Sequence, residues 1–253
     1  MSLTFRCSSA MIFAAGLGTR LRPLTDHTPK ALVKIGNKTL LEIAIGKIKD
    51  AGFDKIVINA HHFAEQIFEF VQNSNFEIDI EISHEKNLLL DTGGGIFYAR
   101  NKIGSNAPFL VHNVDIVSNA DLVRLYSLHG EENLATLLTS RRKTGRYLLF
   151  NEENQLVGWQ NSKTGEIRTP FKNLNIEKCN SLAFNGIHII SPKIFHLMKD
   201  TQMPFSIIDF YLSVCNKEKI IACQQPDLDV FDVGTEEKLK KAAQYLMPQP
   251  KIE

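Results

Sequence analysis

Short apolar runs alternate with helical patterns through the first half of the chain. Residues 10–14, 55–59 and 108–111 have the composition of buried strands, and helical patterns at 40–51 and 64–71 lie between them. Such alternation favours right-handed βαβ units, in which consecutive strands lie parallel and helices cover the sheet. We therefore predict an α/β fold with a Rossmann-like mixed, mostly parallel sheet flanked by helices.

The second half has a different pattern. Residues 134–139, 146–150 and 155–159 are predicted strands joined by polar turns, and residues 181–190 form a stronger strand pattern. Because no long helical pattern separates the first three, we expect a β-rich insertion in this half. A helical pattern over residues 235–245 then closes the predicted fold.

The charge balance excludes some classes of partner. The chain has 29 Lys and Arg against 28 Asp and Glu, which gives no electrostatic reason to expect a nucleic acid or an anionic membrane. Its longest apolar run, at residues 10–17, is too short to span a bilayer. Four cysteines without a Cys-x-x-Cys pair do not suggest a disulfide framework. We expect a cytoplasmic protein, and the sequence leaves its oligomeric state open.

The most informative segment is a glycine loop, residues 14–30, that directly follows the first predicted strand. Gly16 and Gly18 let backbone amides approach a phosphate closely, while Arg20 and Lys30 supply positive charge. A dinucleotide fingerprint would need a third glycine where Leu21 stands, and no P-loop Gly-Lys-Ser/Thr follows. A long loop with separated cations is suited to wrapping a triphosphate.

Several motifs, taken together, resemble those of the sugar-1-phosphate nucleotidylyltransferases. The first is Ala14-Ala15-Gly16-Leu17-Gly18-Thr19-Arg20, followed by Pro29-Lys30. Others follow in the family's order: Asp91-Thr92-Gly93-Gly94-Gly95, Phe109-Leu110-Val111-His112-Asn113-Val114-Asp115, Asn185-Gly186-Ile187 and Phe231-Asp232-Val233-Gly234-Thr235. The resemblance covers residues 10–235 and is greatest to the short N-acetylmuramate-1-phosphate uridylyltransferase-like subgroup.

The resemblance implies the nucleotide-diphospho-sugar transferase fold in a single domain, residues 1–253. Its nucleotide-binding half would occupy residues 10–130, its acceptor-sugar half residues 131–235, and a C-terminal helix and tail residues 236–253. The implied partners are a nucleoside triphosphate, in this subgroup UTP, and a sugar 1-phosphate such as N-acetylmuramate 1-phosphate.

The implied reaction is attack of a sugar-phosphate oxygen on the α-phosphorus of the triphosphate, with release of pyrophosphate. The attacking oxygen is already anionic, so catalysis depends on positioning and on neutralising charge rather than on a protein nucleophile. Arg20 would neutralise the leaving pyrophosphate, and Lys30 would draw the reacting phosphates together. Asp115 and Asp232, each after an apolar strand, would converge at the carboxyl edge of the sheet and hold Mg²⁺.

The remaining assignments also follow from the resemblance. The triphosphate would be held by Ala14, Ala15, Gly16, Gly18 and Thr19. The edge of the base would be contacted by Thr92 and Gly93. The acceptor sugar would be contacted by Asn113, Asn185, Gly186 and Asp209.

Simpler interpretations exist for several of these residues. Asp115 is also typical of a turn, and Asp232 of a residue preparing the last helix. Asn185 and Gly186 inside a strand are equally typical of a β-bulge. Val114 stands where the family commonly has glycine, which bears on the acceptor pocket. Two other functions stay open: a phosphocholine-type cytidylyltransferase and a non-catalytic nucleotide-sensing module.

Overall fold

A ten-stranded mixed sheet forms the centre of the molecule in a computed structural model that describes residues 9–247. In chain order the strands are β1 (Ser9–Phe13), β2 (Lys34–Ile35), β3 (Lys38–Thr39), β4 (Lys55–Ala60), β5 (Asp79–His84), β6 (Phe109–Asn113), β7 (Ile116–Ser118), β8 (Asn133–Ser140), β9 (Arg146–Phe150), β10 (Leu156–Asn161), β11 (Ile167–Arg168), β12 (Asn180–Ile190), β13 (Lys219–Gln224) and β14 (Val230–Asp232). The helices are α1 (Leu40–Asp50), α2 (Ala64–Gln72), α3 (Asp91–Ile103), α4 (Leu122–Ser127), α5 (Ile194–Leu197), α6 (Ile207–Val214) and α7 (Glu236–Leu246). Within residues 9–247, no helix combines the length and apolarity needed to cross a membrane.

The first half supplies a parallel core. Strand β1 pairs in parallel with β4 and β6, and β4 pairs in parallel with β5. Successive side chains of a strand point to opposite faces, and both faces are buried here. Ile12 packs into a cluster that includes α1 and α2, whereas Met11 packs into a second cluster with α3. The sheet is therefore sandwiched between two helical layers.

The second half attaches to this core through the long strand β12. It runs antiparallel to β6, β8 and β9, and the strands β9, β10 and β11 continue as an antiparallel meander at the outer edge. The fold class predicted from the sequence is confirmed, with a parallel core and the β-rich insertion in the second half. The main sheet has more antiparallel strand pairs than we expected for a mostly parallel sheet.

Some elements were misplaced or missed by the sequence patterns. Helix α3 begins at Asp91 and so includes three successive glycines in its first turns. Glycine disfavours helices, but Gly93 and Gly94 are held here because both amides donate to the carbonyl oxygen of Phe205, at 2.9 and 3.2 Å. The short elements β7 and α4 gave no periodic signal long enough to detect.

We predict that Leu110→Ala, in the middle of β6, lowers the free energy of unfolding by about 2–5 kcal/mol. Leu110 is fully buried in the core, so its truncation leaves a cavity between the sheet and the helices. Chemical denaturation measures the change. The matched control is Leu128→Ala, whose side chain is 49% exposed. Equal losses in both variants would contradict the assignment of Leu110 to the core.

Candidate active site

A cleft of about 650 Å³ opens at the carboxyl ends of the parallel strands β1, β4 and β6. This is the edge at which open α/β sheets bind ligands. We call it the main cleft. It brings together most of the residues singled out from the sequence: Ala14, Ala15, Gly16, Gly18, Thr19, Arg20, Lys30, Thr92, Asn113 and Asp115.

The glycine loop folds back on itself at Gly18. Its φ of +65° lies in the left-handed region, and a Cβ there would come within 3.0 Å of the Thr25 side chain. The Thr25 hydroxyl donates to the carbonyl oxygen of Gly18 at 2.8 Å, and so does the amide of Leu21 at 2.9 Å. A single 3₁₀ turn, Thr19–Leu21, follows and places Arg20 on the wall of the cleft.

Asp115 connects three separate segments. It follows β6, and its carboxylate accepts a hydrogen bond from the ammonium group of Lys30 in the glycine loop. Its backbone carbonyl oxygen accepts a hydrogen bond from the amide of Val233 at 2.8 Å. The side chains of Lys30 and Asp115 are only 11% and 21% exposed, so water screens their attraction weakly.

Asp232 reaches this place by a different route from the one predicted. It ends β14, which pairs antiparallel with β7 in a separate two-stranded ribbon, with Asp232 opposite Ile116. Because Ile116 directly follows Asp115, this pairing places Asp232 near the end of β6. A Cβ on Gly234 would lie 2.8 Å from Nη2 of Arg20 and 3.1 Å from Oδ1 of Asp232. The guanidinium of Arg20 and the carboxylate of Asp232 thus both lie beside Gly234.

Asp115 and Asp232 are the two carboxylates predicted to hold Mg²⁺. The described residues contain no cluster of three or more His, Cys, Asp or Glu side chains able to hold a metal ion. Mg²⁺, however, usually takes one or two protein carboxylates and completes its shell with substrate phosphates and water. Asp115 and Asp232, joined through the Val233 amide, have the donor chemistry that such an arrangement needs.

Two further residues line the main cleft and were missed from the sequence. Glu85 is only 2% exposed, and its carboxylate accepts hydrogen bonds from the Asn59 side-chain amide at 2.7 Å and from the Leu90 backbone amide at 2.8 Å. A Cβ on Gly95 would lie 2.9 Å from Oε1 of Glu85, so α3 can approach only because glycine stands there. Asn59 lies in β4 and Glu85 directly follows β5, a position that the carboxyl-end rule could have identified.

Thr92 and Gly93 lie in the first turn of α3 rather than in an open turn. Thr92 lines the main cleft, and its hydroxyl accepts a hydrogen bond from the Ile207 amide at 2.9 Å. Gly93 is buried against the ring of Phe205, and its amide donates to the Phe205 carbonyl oxygen. The structure therefore brings Thr92 to the cleft wall and leaves Gly93 behind it.

A second opening, of about 710 Å³, adjoins the main cleft and shares Asp91 and Thr92 with it. We call it the arginine pocket, because Arg142, Arg146 and Arg168 line it. Its other lining residues are Thr144, Tyr147, Leu148, Trp159, Asn161, Glu166, Phe184, Ser206, Ile208 and Asp209.

Asp209 forms an ion pair within the arginine pocket. Its carboxylate accepts a hydrogen bond from Nη1 of Arg168 at 2.6 Å, and the Arg168 guanidinium carbon lies 4.0 Å from the centre of the Trp159 ring. The predicted acceptor residue Asp209 therefore lines the pocket as half of an ion pair.

Asn185 and Gly186 form a bulge in β12, where the pairing with β8 shifts register between Phe184 and His188. Gly186 has a φ of +72°, and a Cβ there would lie 2.6 Å from the Asn113 side-chain nitrogen. Asn185 is 1% exposed and lines neither opening. Its Oδ1 accepts hydrogen bonds from Nε of Arg142 at 2.9 Å and from the Ser140 hydroxyl at 3.2 Å.

The backbone at Val114 is ordinary. Val114 is not among the described residues with positive φ, and its amide donates to the Phe13 carbonyl oxygen at 3.1 Å. The neighbouring His112 is fully buried, and burial lowers the pKa of its imidazole to about 4. His112 is therefore neutral at pH 7, and the positive charge at the main cleft comes from Arg20 and Lys30.

The chain is similar to several known proteins. The profile of the family described as "Nucleotidyl transferase" matches residues 9–147. The N-acetylmuramate alpha-1-phosphate uridylyltransferase of Neisseria meningitidis serogroup B is 32% identical over 187 residues, 74% of this chain and 76% of that protein. A probable mannose-1-phosphate guanylyltransferase of rice is 34% identical over 138 residues, 52% of this chain but only 38% of the rice protein. A crystal structure of UDP-glucose pyrophosphorylase with UDP-glucose has the same fold, with a TM-score of 0.75, 20% identity and coverage of 94% of this chain and 97% of that one.

We predict that Gly186→Ala lowers the free energy of unfolding by about 1–3 kcal/mol, because alanine resists the positive φ and its Cβ meets the Asn113 side chain. Thermal and chemical denaturation measure the loss. Gly46→Ala, in α1 with open space around its Cβ, is the matched control and should instead stabilise by about 0.5–1 kcal/mol. A neutral Gly186→Ala would show that the bulge is not needed.

Proposed function

Because this chain belongs to the nucleotidyl transferase family, it is a sugar-1-phosphate nucleotidylyltransferase, and we propose that it makes UDP-N-acetylmuramate from UTP and N-acetylmuramate 1-phosphate. The observation that carries the proposal is one cleft in which a glycine loop with Arg20 and Lys30 faces the carboxylate of Asp115. Such a cleft combines phosphate binding with the means to hold a divalent cation.

In the proposed reaction, a phosphate oxygen of the sugar 1-phosphate attacks the α-phosphorus of UTP. The new bond joins this oxygen to the α-phosphorus, while the bond from the α-phosphorus to the bridging oxygen of the β-phosphate breaks. The electron pair leaves with pyrophosphate. All reacting groups are anions, so the protein must bring them together and neutralise their charge.

The residues of the glycine loop have distinct proposed roles. The amides from Ala15 to Thr19 bind the β- and γ-phosphates, whereas the Ala14 amide already donates to the carbonyl oxygen of Asn59 at 2.9 Å. Arg20 neutralises the charge that develops on the leaving pyrophosphate. Lys30 holds the two reacting phosphates together. Its hydrogen bond to Asp115 orients the ammonium group before substrates arrive.

We propose that Asp115 and Asp232 hold Mg²⁺. The ion, when bound, withdraws charge from the phosphate oxygens that share it. The chain's own contribution is the placement of both carboxylates: β6 supplies Asp115, the ribbon of β7 and β14 supplies Asp232, and the Val233 amide ties them together.

The two relatives are named for different bases and different sugars. The Neisseria relative is named a uridylyltransferase for N-acetylmuramate 1-phosphate and matches about three quarters of both chains, which supports UTP and this sugar. The rice relative, named for guanylyl transfer to mannose 1-phosphate, matches a much smaller part of its own length. Arginine side chains beside the main cleft favour an acceptor that carries an acidic substituent.

The phosphocholine alternative fits the arginine pocket poorly. A quaternary ammonium group is bound by open aromatic faces. Here the ring of Trp159 is covered by the guanidinium of Arg168 at 4.0 Å, and Arg142 and Arg146 would repel a cation.

A substrate panel tests the proposal directly. We expect Mg²⁺-dependent release of pyrophosphate that is fastest with UTP and N-acetylmuramate 1-phosphate, and abolished by EDTA. The panel pairs UTP, CTP, GTP, ATP and dTTP with the 1-phosphates of N-acetylmuramate, N-acetylglucosamine, glucose and mannose, and with phosphocholine. No release with any pair would support the nucleotide-sensing alternative instead, and a preference for another pair would replace the proposed substrates.

We predict that Asp115→Asn and Lys30→Ala each lower kcat by about 10²–10³-fold, the usual cost of removing one charged group that stabilises the transition state. Pyrophosphate release under saturating substrates measures kcat, and circular dichroism checks that each variant folds. The matched lysine control is Lys217→Ala, which lies on the exposed surface and should stay within about 2-fold of wild type. Wild-type rates for Asp115→Asn would show that another group holds the metal.

A further inference from the structure

We propose that Arg142 determines acceptor specificity by binding an acidic substituent of the sugar, and that buried Asn185 positions it. The inference rests on the proposed function, since it concerns the acceptor of that reaction. It adds a residue that neither the motifs nor the comparisons single out.

The hydrogen bonds of Arg142 fix its guanidinium group and leave part of it free. Nε donates to Oδ1 of Asn185 at 2.9 Å, and Nη2 donates to the carbonyl oxygen of Phe184 at 3.1 Å. A guanidinium has five N–H donors, so three remain, and they include both on Nη1. Two parallel N–H donors match the two oxygens of a carboxylate. The guanidinium group of Arg142 is thus fixed through Nε and Nη2, and its remaining N–H donors on Nη1 and Nη2 are available to a carboxylate.

The charge of Arg142 is uncompensated. Among the ion pairs of residues 9–247, none within 4.0 Å involves Arg142 or Arg146. Three carboxylates line the pocket, and two of them pair with Arg168. Asp209 lies 2.6 Å from Nη1 of Arg168, and Glu166 lies 3.8 Å from its Nε. Arg142 is half-buried, whereas Arg146 is exposed, so Arg142 is the less screened and better fixed of the two unpaired cations.

Asn185 holds Arg142 without neutralising it. The amide oxygen accepts from Nε, but an amide carries no charge, so the full positive charge stays available to a ligand. The Asn185 side-chain nitrogen has no hydrogen-bond partner among the described residues, so the side chain interacts only through its oxygen. An aspartate would fit the same space and pair with the arginine.

The location agrees with an acceptor whose phosphate lies in the main cleft. The arginine pocket shares Asp91 and Thr92 with that cleft. The bulge of β12 places Asn185 next to Gly186, which packs against Asn113 on the cleft wall. A sugar that extends from the main cleft past Thr92 would therefore reach the pocket that Arg142 lines.

The test compares two acceptors that differ by one acidic group. N-acetylmuramate 1-phosphate carries a lactyl carboxylate that N-acetylglucosamine 1-phosphate lacks. For Arg142→Gln we expect kcat/KM to fall about 10- to 100-fold with the acidic acceptor, and to change less than about 3-fold with the neutral one. The KM for UTP should be unchanged. Arg141→Gln, an exposed neighbour outside the arginine pocket, is the matched control and should behave as wild type with both acceptors.

Asn185→Asp separates positioning from mere folding. The introduced carboxylate would pair with Arg142 and compete with the substrate, so we expect the KM for the acidic acceptor to rise about 10-fold while kcat stays within about 3-fold. The neutral acceptor should be used as by wild type. A lower kcat with both acceptors would mean that Asn185 supports the fold alone and would contradict its proposed role.

The outcomes distinguish this inference from the proposed function. Turnover of neutral sugar phosphates with no preference for the acidic one contradicts the inference but leaves nucleotidyl transfer intact. Equal losses with both acceptors in Arg142→Gln, or no loss with either, contradict it as well. No turnover by the wild-type protein with any sugar phosphate contradicts the proposed function and the inference together.

Discussion

The hydrogen bonds of Asp115 hold together the parts of the chain that form the main cleft. Its carboxylate binds Lys30 of the glycine loop, and its carbonyl oxygen binds the Val233 amide of the segment that carries Asp232. A parallel core can place a residue at the end of β6, but it cannot by itself bring in a loop and a distant ribbon. Because Asp115 bonds to both segments, the ammonium group of Lys30 and the segment that carries Asp232 have defined positions before any substrate is present.

The sequence predicted the part of the site that depends on strand ends. The glycine loop follows β1 and Asp115 follows β6, and neighbouring parallel strands place both at one edge. It did not predict that the strand ending at Asp232 pairs with β7, because β7 has only three residues and the pairing joins segments more than a hundred residues apart. Glu85 and Asn59 were missed although their places at strand ends were a usable signal, and only their burial beneath α3 at Gly95 required the structure.

For Asn185 and Gly186, the sequence likewise identified the positions in the chain but not the contacts that these residues make. Asn185 and Gly186 were identified by their place in the order of motifs, and the bulge they form was among the alternatives considered. The structure alone shows that Asn185 is covered and accepts a hydrogen bond from Arg142, since the two residues are 43 positions apart in the chain. The Trp159 and Arg168 stack likewise joins β10 to β11 across the meander.

The meander at the outer edge of the sheet has a consequence for the evolution of this scaffold. Arg146 and Arg168 lie on β9 and β11, and β11 has only two residues and a single strand neighbour. Insertions and exchanges there disturb few hydrogen bonds, whereas the glycine loop and Asp115 lie against the inner strands. Descendants of such a chain can therefore change the lining of the arginine pocket at the border of the sheet while the main cleft at its centre is inherited unchanged.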